Sequence, residues 1–265
     1  MPILHIVLLA IVQGITEFLP ISSSGHLILV PQVTGWSDQG LVIDAAVHVG
    51  TLGAVLLYFW RDVLLMAAGG IQLVSGRMTD GARLALYIVL ATIPVVIAGF
   101  LAKELIETRL RSAEIIAWTT IIFGIALWLA DRFGGRVRRL ESMHLPHALV
   151  VGLAQAIALI PGTSRSGITM AAARMLGYER TDAARFSMLL SIPVIIAAGA
   201  LVGRDLIEAG DIVLGADAAI AAILSFVTAL GTIALLMRWL RTATFTPFVL
   251  YRLALGAGLL VWLYA

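Results

Sequence analysis

Two short polar strings inside otherwise apolar sequence carry the residues that could act on an anion. The first string, 17–26, combines a carboxylate, three serines and a histidine; the second, 164–169, combines two serines, an arginine and a threonine. An arginine fork binds two phosphate oxygens at once, and a helix N-terminus offers free N–H groups to an anion. The strings therefore predict a phosphate-binding site. Its predicted ligands are Ser22, Ser24, Ser164, Arg165, Ser166 and Thr169.

Glu17 is the candidate metal ligand or base. Gln13 lies four residues earlier, so the two side chains share one face of a helix. A carboxylate and an amide oxygen could hold a divalent cation, and Glu17 alone could accept a proton. The alternative is that Glu17 accepts hydrogen bonds from backbone N–H groups at a helix break and that Gln13 simply packs.

Ser23 and His26 form the candidate catalytic pair. They are three residues apart on the helix that the serines open, so we expect them on one face. A hydroxyl close to an imidazole can be activated as a nucleophile. His26 could instead protonate the departing phosphate or activate water. The alternative is that the serines only cap the helix and the histidine is structural.

Arg165 is a candidate catalytic residue as well as a phosphate ligand, and it could also form a buried salt bridge with Glu17. The two roles are compatible, since such a pair would guard the empty site. Asp44 and His48, four residues apart, could support the site or pair with each other. Arg252, near the start of the last apolar run, is predicted to snorkel or to pair.

The composition places these strings in a membrane protein. Of 265 residues, 60% are hydrophobic and 13% are charged, and the mean hydropathy is +1.01, whereas a soluble domain carries roughly 25% charged residues. Apolar runs of about twenty residues cross a hydrocarbon core as helices. We therefore predict an all-α integral membrane fold with six crossings, at about 41–60, 83–102, 114–130, 186–203, 217–237 and 248–264.

Two further apolar regions, 1–33 and 147–176, are each interrupted by proline, glycine and serine. These residues favour non-helical backbone, and such backbone survives at membrane depth only inside protein or beside a wet cavity. Each region is therefore predicted to be a re-entrant helical hairpin.

The chain also repeats itself, which predicts a single membrane domain with repeat one at 1–130, a connecting loop at 131–146 and repeat two at 147–265. Three crossings in each half would make the repeat an inverted one. The markers, at offsets of 141 to 143 residues, are Gln13 with Gln155, Pro20 with Pro161, Gly25 with Gly167, and Arg61-Asp62 with Arg204-Asp205.

Basic residues in the loops predict the orientation. One side holds four, Lys103, Arg109, Arg111 and Arg204, and the other holds twelve, Arg61, Arg77, Arg83, Arg132, Arg136, Arg138, Arg139, Arg174, Arg180, Arg185, Arg238 and Arg241. The richer side should be cytoplasmic, which puts the N-terminus on the outer face. Because these residues lie in loops between apolar runs, the net charge of +2 does not indicate a nucleic-acid partner.

The strings TEFLPISSSGH (16–26) and PGTSRSGIT (161–169) resemble the two motifs of the bacterial undecaprenyl-diphosphate phosphatase family, the bacitracin-resistance type. ARFSMLLSIP (184–193) and YRLALG (251–256) extend the resemblance. It implies an inner-membrane enzyme that hydrolyses undecaprenyl diphosphate to undecaprenyl phosphate and inorganic phosphate. Such an enzyme recycles the cell-wall carrier lipid and confers bacitracin resistance.

The resemblance also implies roles for single residues. Glu17, His26 and Arg165 would be essential, Ser23 the nucleophile, and Ser164 and Thr169 phosphate contacts. It implies a divalent metal, Mg²⁺ or Ca²⁺, held by Glu17 and Gln13, where Gln13 is the neutral form of a family position that is Glu or Gln. The expected partners are the polyprenyl diphosphate lipid and the bilayer, with a homodimer as a further expectation.

The strongest rival is an inverted-repeat transporter or a flippase of a polyprenyl phosphate lipid, since broken helices in inverted repeats are typical of transporters. The combination of Glu17, His26, Arg165 and a serine run exceeds what simple solute binding needs. Type 2 phosphatidic-acid phosphatases also contain a Ser-Gly-His string, but their later arginine motif requires a histidine that does not follow Arg165 here.

Overall fold

A computed structural model describes residues 2–209 and 212–265, with all side chains in these ranges except those of 107, 201–209 and 212. The described chain is helical, with a 3₁₀ turn over Leu140–Ser142. The α-helices are α1 Ile3–Thr16, α2 Ser23–Thr34, α3 Gly40–Tyr58, α4 Trp60–Val74, α5 Asp80–Arg109, α6 Ala113–Phe133, α7 Leu145–Ile157, α8 Arg165–Met175, α9 Arg180–Ala209, α10 Ile212–Trp239 and α11 Thr246–Tyr264.

Six of these helices, α3, α5, α6, α9, α10 and α11, contain segments long and apolar enough to cross a membrane, which confirms the six predicted crossings. Large apolar side chains point away from the bundle: Phe100 is 85% exposed, Leu101 77% and Ile223 63%. Soluble proteins rarely expose wide apolar surfaces. The chain is therefore a multi-pass membrane protein.

Helix α4 is an addition to the predicted elements, because the sequence interpretation treats the segment after the first crossing as a loop. Phe59 leaves helical geometry (φ −100°, ψ 31°) and separates α3 from α4. With 15 residues, α4 is too short to span the membrane, and it packs against α5. Asp62 in its first turn is buried and accepts a 2.9 Å hydrogen bond from Arg185 Nε of α9.

The two broken regions form helical hairpins. His5 at the start of α1 stacks on Trp36, just after α2, with ring centroids 3.6 Å apart. Nδ1 of His147, at the start of α7, lies 2.8 Å from the hydroxyl oxygen of Tyr178, just after α8. In each region the two outer ends meet and the break lies at the closed end. Re-entrant insertion into a bilayer stays a prediction.

The hairpins open toward opposite ends of α6. The end of α2 lies beside Trp262 of α11, and the hydroxyl of Tyr264, also in α11, donates a 2.6 Å hydrogen bond to Glu114 at the start of α6. The end of α8, by contrast, is bonded to the last turn of α6 through Arg174 and Asp131.

The packing between the halves is reciprocal, since α1 packs on α10 and α7 packs on α5. The inverted repeat and its boundaries stay predictions, and the side chains of the marker pair Arg204-Asp205 lie outside the described residues. Helix α6 extends to Phe133 and α7 begins at Leu145, so the segment between them is shorter than the connecting loop assigned from the sequence.

Asp131 is a structural node at the end that carries most of the arginines. Its carboxylate accepts hydrogen bonds from Arg174 Nε (3.1 Å), from Arg180 Nε (2.7 Å) and from the backbone N–H of Phe245 (3.2 Å). Arg174 is fully buried. The sequence interpretation counts these arginines only as orientation signals, whereas here they join α6, α8, α9 and the start of α11.

We predict that Asp131→Ala lowers the free energy of unfolding by about 3–5 kcal/mol, because it leaves the buried Arg174 guanidinium without its counter-ion. Thermal unfolding in detergent measures the loss. Asp80→Ala is the matched control, since Asp80 is 91% exposed and lies 3.7 Å from Arg83; exposed pairs contribute about 0–1 kcal/mol. Equal melting temperatures for the two variants would contradict the assigned role of Asp131.

Candidate active site

The two helix breaks are built alike. Ser22 and Ser164 both adopt positive φ angles, 76° and 73°, and the hydroxyl of each accepts the backbone N–H of the glycine three residues later, at 3.3 Å for Gly25 and 3.1 Å for Gly167. A left-handed backbone at a non-glycine residue costs about 1–3 kcal/mol and persists only where the surroundings hold it. The capping bonds provide part of that restraint, and α2 and α8 begin directly after the two serines.

Glu17, one residue beyond the end of α1, is the centre of the site. Its Oε1 accepts a 2.7 Å hydrogen bond from Arg165 Nη2, so the two hairpins are joined by an ion pair. Its Oε2 accepts hydrogen bonds from Ser23 Oγ at 2.7 Å and from Gln13 Nε2 at 3.0 Å. Glu17 is 7% exposed, and in this site it interacts with side chains rather than with free backbone N–H groups.

Arg165 is fixed from three directions. Besides Glu17, its Nη1 donates to the carbonyl of Ser187 in α9 at 2.9 Å. Its guanidinium carbon lies 5.9 Å from the ring centroid of the buried Phe18, within the range of a cation–π interaction. The salt bridge anticipated as an alternative role is therefore present.

His48 and Asp44, which the sequence analysis leaves as a support of the site or a pair with each other, belong to the site. His48 Nδ1 donates to the carbonyl of Asp44 at 2.6 Å, and this orients Nε2 toward Glu17 Oε2, 3.6 Å away. The Asp44 carboxylate accepts a 2.7 Å hydrogen bond from Gln39. The two side chains therefore do not pair with each other. The available signal was a carboxylate and an imidazole one turn apart in an apolar crossing.

His26 and Ser23 are not hydrogen-bonded to each other, contrary to the expectation from their spacing. His26 Nδ1 donates to the carbonyl of Ser22 at 2.6 Å, and Nε2 lies 2.6 Å from the hydroxyl of Tyr251. Ser23 instead donates to Glu17. Spacing along one helix did not predict the partner that each group finds across the site.

The predicted phosphate ligands divide into two groups. Ser24, Ser164 and Arg165 line a cavity between the hairpins. The hydroxyls of the other three, Ser22, Ser166 and Thr169, are bonded within the protein. Ser166 Oγ donates to the carbonyl of Leu19, which links the hairpins a second time. In this structure these three residues hold the breaks in place.

Arg252 of α11 holds the breaks from behind, and the prediction that it snorkels is wrong. Its side chain is fully buried. The guanidinium donates to the carbonyls of Pro20 in the first break and Gly162 and Thr163 in the second, at 3.0–3.2 Å. It also donates to the carbonyls of Thr119 and Thr120 in α6. Carbonyl dipoles, rather than a carboxylate or an aqueous interface, surround the buried cation.

Helix α6 packs closely against the backbone of the second break. The hydroxyl of Thr119 donates to the carbonyl of Pro161 at 2.7 Å. Gly162 follows with φ of 87°, and a β-carbon there would collide with the Thr119 hydroxyl and the Ile116 carbonyl. Only glycine satisfies both the backbone angle and the approach.

The cavity in front of Glu17 has a volume of about 360 Å³. Its polar wall contains Glu17, Ser23, Ser24, Asp44, His48, Gln155, Ser164 and Arg165. The remaining wall is apolar or lined by small residues from α3, α5 and α9 and from the segment directly after α7: Leu41, Ala45, Val95, Ala158, Leu159, Val194, Ile195, Ala198 and Gly199. One compartment can therefore accept both an anionic group and a hydrocarbon chain.

The fold and the site define a class of protein: a multi-pass helical membrane protein with a buried carboxylate–serine–arginine centre between two helix breaks. Comparison with known proteins identifies the family within this class. The family described as bacitracin resistance protein BacA matches residues 6–258, and the chain belongs to that family.

Curated relatives match the chain over nearly its whole length. One from Ruegeria pomeroyi is 56% identical over 262 residues, covering 98% of each chain. One from Alcanivorax borkumensis is 54% identical over 256 residues, covering 96% of this chain and 97% of the relative. One from Roseobacter denitrificans is 52% identical over 267 residues and covers all of both chains. All three carry the name undecaprenyl-diphosphatase.

We predict that Arg252→Lys lowers both stability and turnover. An ammonium has three donors on one atom and cannot serve five carbonyls on three segments. Leaving a buried carbonyl unpaired costs about 1–3 kcal/mol, so we expect a lower melting temperature and a loosened site. Arg241→Lys, at an exposed arginine, is the control. A melting temperature equal to wild type for Arg252→Lys would refute the role of the fork.

Proposed function

We propose that the chain hydrolyses undecaprenyl diphosphate to undecaprenyl phosphate and inorganic phosphate, as the name of its relatives states for them. The single observation that carries the proposal is the Glu17 carboxylate, which binds the Ser23 hydroxyl and the Arg165 guanidinium at 2.7 Å each. A base, a hydroxyl and a phosphate-binding cation thus meet at the wall of one cavity.

The shape of the cavity supports a lipid substrate. Its polar groups gather around the helix breaks, and its apolar residues lie on helices that face the bilayer. The diphosphate would enter the polar end while the polyprenyl chain stays among α5, α7 and α9. Such an arrangement keeps the charged headgroup out of hydrocarbon and the apolar tail out of water.

Ser23 is the proposed nucleophile and Glu17 its base. Ser23 Oγ attacks the terminal phosphorus, its proton passes to Glu17 Oε2, and the bond from that phosphorus to the bridging oxygen breaks. Undecaprenyl phosphate leaves with the bridging oxygen and its electron pair. Arg165 stabilises the negative charge on the equatorial oxygens, which is the main requirement of phosphoryl transfer.

Water completes the cycle. It attacks the phosphorus of phosphoserine 23, the Ser23 oxygen leaves and regains a proton, and inorganic phosphate is released. Glu17, which has passed the serine proton on to the departing undecaprenyl phosphate, accepts a proton from the water in this step and transfers it to the Ser23 oxygen. His48 Nε2 lies 3.6 Å from Glu17 Oε2. A protonated imidazole at this position stabilises the ionised carboxylate electrostatically.

His26 acts through the backbone in this proposal. Its ring binds the carbonyl of Ser22, the residue with positive φ directly before the nucleophile, and is held there by Tyr251. It is therefore a positioning residue for Ser23 rather than its base.

A divalent cation, Mg²⁺ or Ca²⁺, fits the residues around Glu17. Among the described residues, Gln13 Oε1 is a buried oxygen with no hydrogen-bond partner, on the amide whose Nε2 donates to the carboxylate. Mg²⁺ is commonly held by one or two protein oxygens together with substrate phosphates and water. Gln13 and Glu17 would hold the ion. When bound, it would neutralise phosphate charge.

The competing transporter hypothesis is less well supported. The relatives carry an enzyme name. A hydroxyl bonded to a buried carboxylate can serve as a nucleophile with its base, and solute binding does not need such a pair. The protein is proposed to reside in the bacterial cytoplasmic membrane with its N-terminus on the outer face. Pairing of two copies stays a prediction.

We expect purified protein to release inorganic phosphate from undecaprenyl diphosphate and to stop when EDTA is added. Ser23→Ala should lose nearly all turnover, since the remaining serines cannot replace the hydroxyl bonded to Glu17. After a rapid quench, mass spectrometry should find phosphate on the peptide that contains Ser23. Ser37→Ala, in the exposed segment between α2 and α3, is the matched control. Near-normal turnover of Ser23→Ala would exclude it as nucleophile.

Orientation is tested with single cysteines, because the native chain has none. Positions 38 and 137 are both exposed at loops, at the ends of the bundle assigned to the outside and the cytoplasm. A membrane-impermeant thiol reagent applied to intact cells should label Asp38→Cys and leave Val137→Cys unlabelled. The reverse pattern would invert the orientation.

A further inference from the structure

Gln155, in the last turn of α7, is a buried polar side chain that the mechanism above does not use. It lines the cavity and is 1% exposed, and neither its Nε2 nor its Oε1 has a hydrogen-bond partner in the described chain. The charged groups of the same wall are all engaged, as shown by the bonds of Glu17, Asp44 and Arg165. Gln155 is thus an unpaired amide at the wall of the space where the substrate must lie.

An unpaired buried amide is costly. Each buried donor or acceptor without a partner destabilises the fold, whereas an apolar side chain of the same size would not. A diphosphate presents only acceptor oxygens near neutral pH, so it would satisfy the Nε2 donors of Gln155. The arrangement is therefore incomplete without an anionic occupant.

The corresponding position in the first half explains why this amide is free. Gln13 lies 142 residues earlier and donates its Nε2 to Glu17, four residues on. In the second half the residue four beyond Gln155 is Leu159, which cannot accept a hydrogen bond. Gln155 therefore lacks the acceptor that Gln13 has one turn further along the chain.

The neighbours of Gln155 indicate which phosphate it meets. The terminal phosphoryl group must lie at Ser23 and Arg165, and Gln155 bonds to neither. On its own helix end it is followed by Ala158 and Leu159, which belong to the apolar wall. Gln155 therefore lies at the boundary between the polar and the apolar part of the cavity wall. The lipid-linked phosphate must lie at that boundary, because it joins the headgroup to the hydrocarbon chain.

We infer that Gln155 binds the lipid-linked phosphate of the substrate, the one that departs on undecaprenyl phosphate. The inference rests on the proposed function and adds a residue that distinguishes a diphosphate lipid from free phosphate. One donor from Nε2 to a charged phosphate oxygen is enough for a measurable contribution to binding.

The test compares Gln155→Met with wild type in detergent, using two product inhibitors. Met keeps the length of the side chain and removes both polar atoms. We expect the inhibition constant for undecaprenyl phosphate and the KM for the diphosphate to rise about tenfold. The inhibition constant for inorganic phosphate should not change, and the melting temperature without substrate should be no lower than wild type. Gln155→Glu, which adds a negative charge, should weaken both lipid constants further.

Gln32→Met, at an exposed position of α2, is the control and should leave all constants unchanged. Unchanged inhibition by undecaprenyl phosphate in both Gln155 variants would overturn the inference. Weaker inhibition by inorganic phosphate would also overturn it, since that result would place Gln155 at the terminal phosphate. A higher requirement for Mg²⁺ with unchanged product inhibition would overturn it as well. If wild type lacks hydrolysis, the proposed function fails, and a thermal shift by undecaprenyl phosphate still tests Gln155 directly.

Discussion

The structure depends on one constraint, that backbone carbonyls released by a helix break in a membrane protein must find donors within the protein. Arg252 meets that constraint for both breaks at once, with donors to Pro20 on one side and to Gly162 and Thr163 on the other. A side chain from the last crossing thus fixes the distance between two hairpins that lie far apart in sequence. The clamp thereby restrains the two breaks beside which Glu17, Ser23 and Arg165 lie.

The ion pair between Glu17 and Arg165 is the electrostatic counterpart of the clamp. Burying either charge alone would cost desolvation free energy. The attraction between the two groups, 2.7 Å apart, offsets that cost. In the proposed mechanism the pair also sets a condition on function, because the phosphate of the substrate would share the arginine with the carboxylate. A metal ion at Gln13 and Glu17 would ease that competition by attracting the carboxylate oxygens.

The two parts of the helix bundle are held together by different interactions, ion pairs at one end and apolar contacts around the cavity. Near the arginine-rich end, Asp131 and Asp62 bind arginines of α8 and α9 and lock the helix ends together. Toward the middle, the cavity is closed mainly by apolar contacts with α5 and α9. Apolar walls are non-directional, so they can accommodate a long polyprenyl chain without a defined pose, while the directional bonds around Glu17 select the headgroup.

The sequence by itself determined the crossings, the broken regions and the identity of the central ionisable residues. These features depend on bilayer thickness, on the local backbone preferences of proline, glycine and serine, and on the cost of a buried charge, all of which act within a short stretch of chain. Which groups meet depends on the tertiary structure. It paired Ser23 with Glu17 instead of His26, buried Arg252 behind the breaks and left Gln155 unpaired at the cavity wall. Contacts between different segments, whether six or 232 residues apart, are set by packing, which spacing along one helix does not encode.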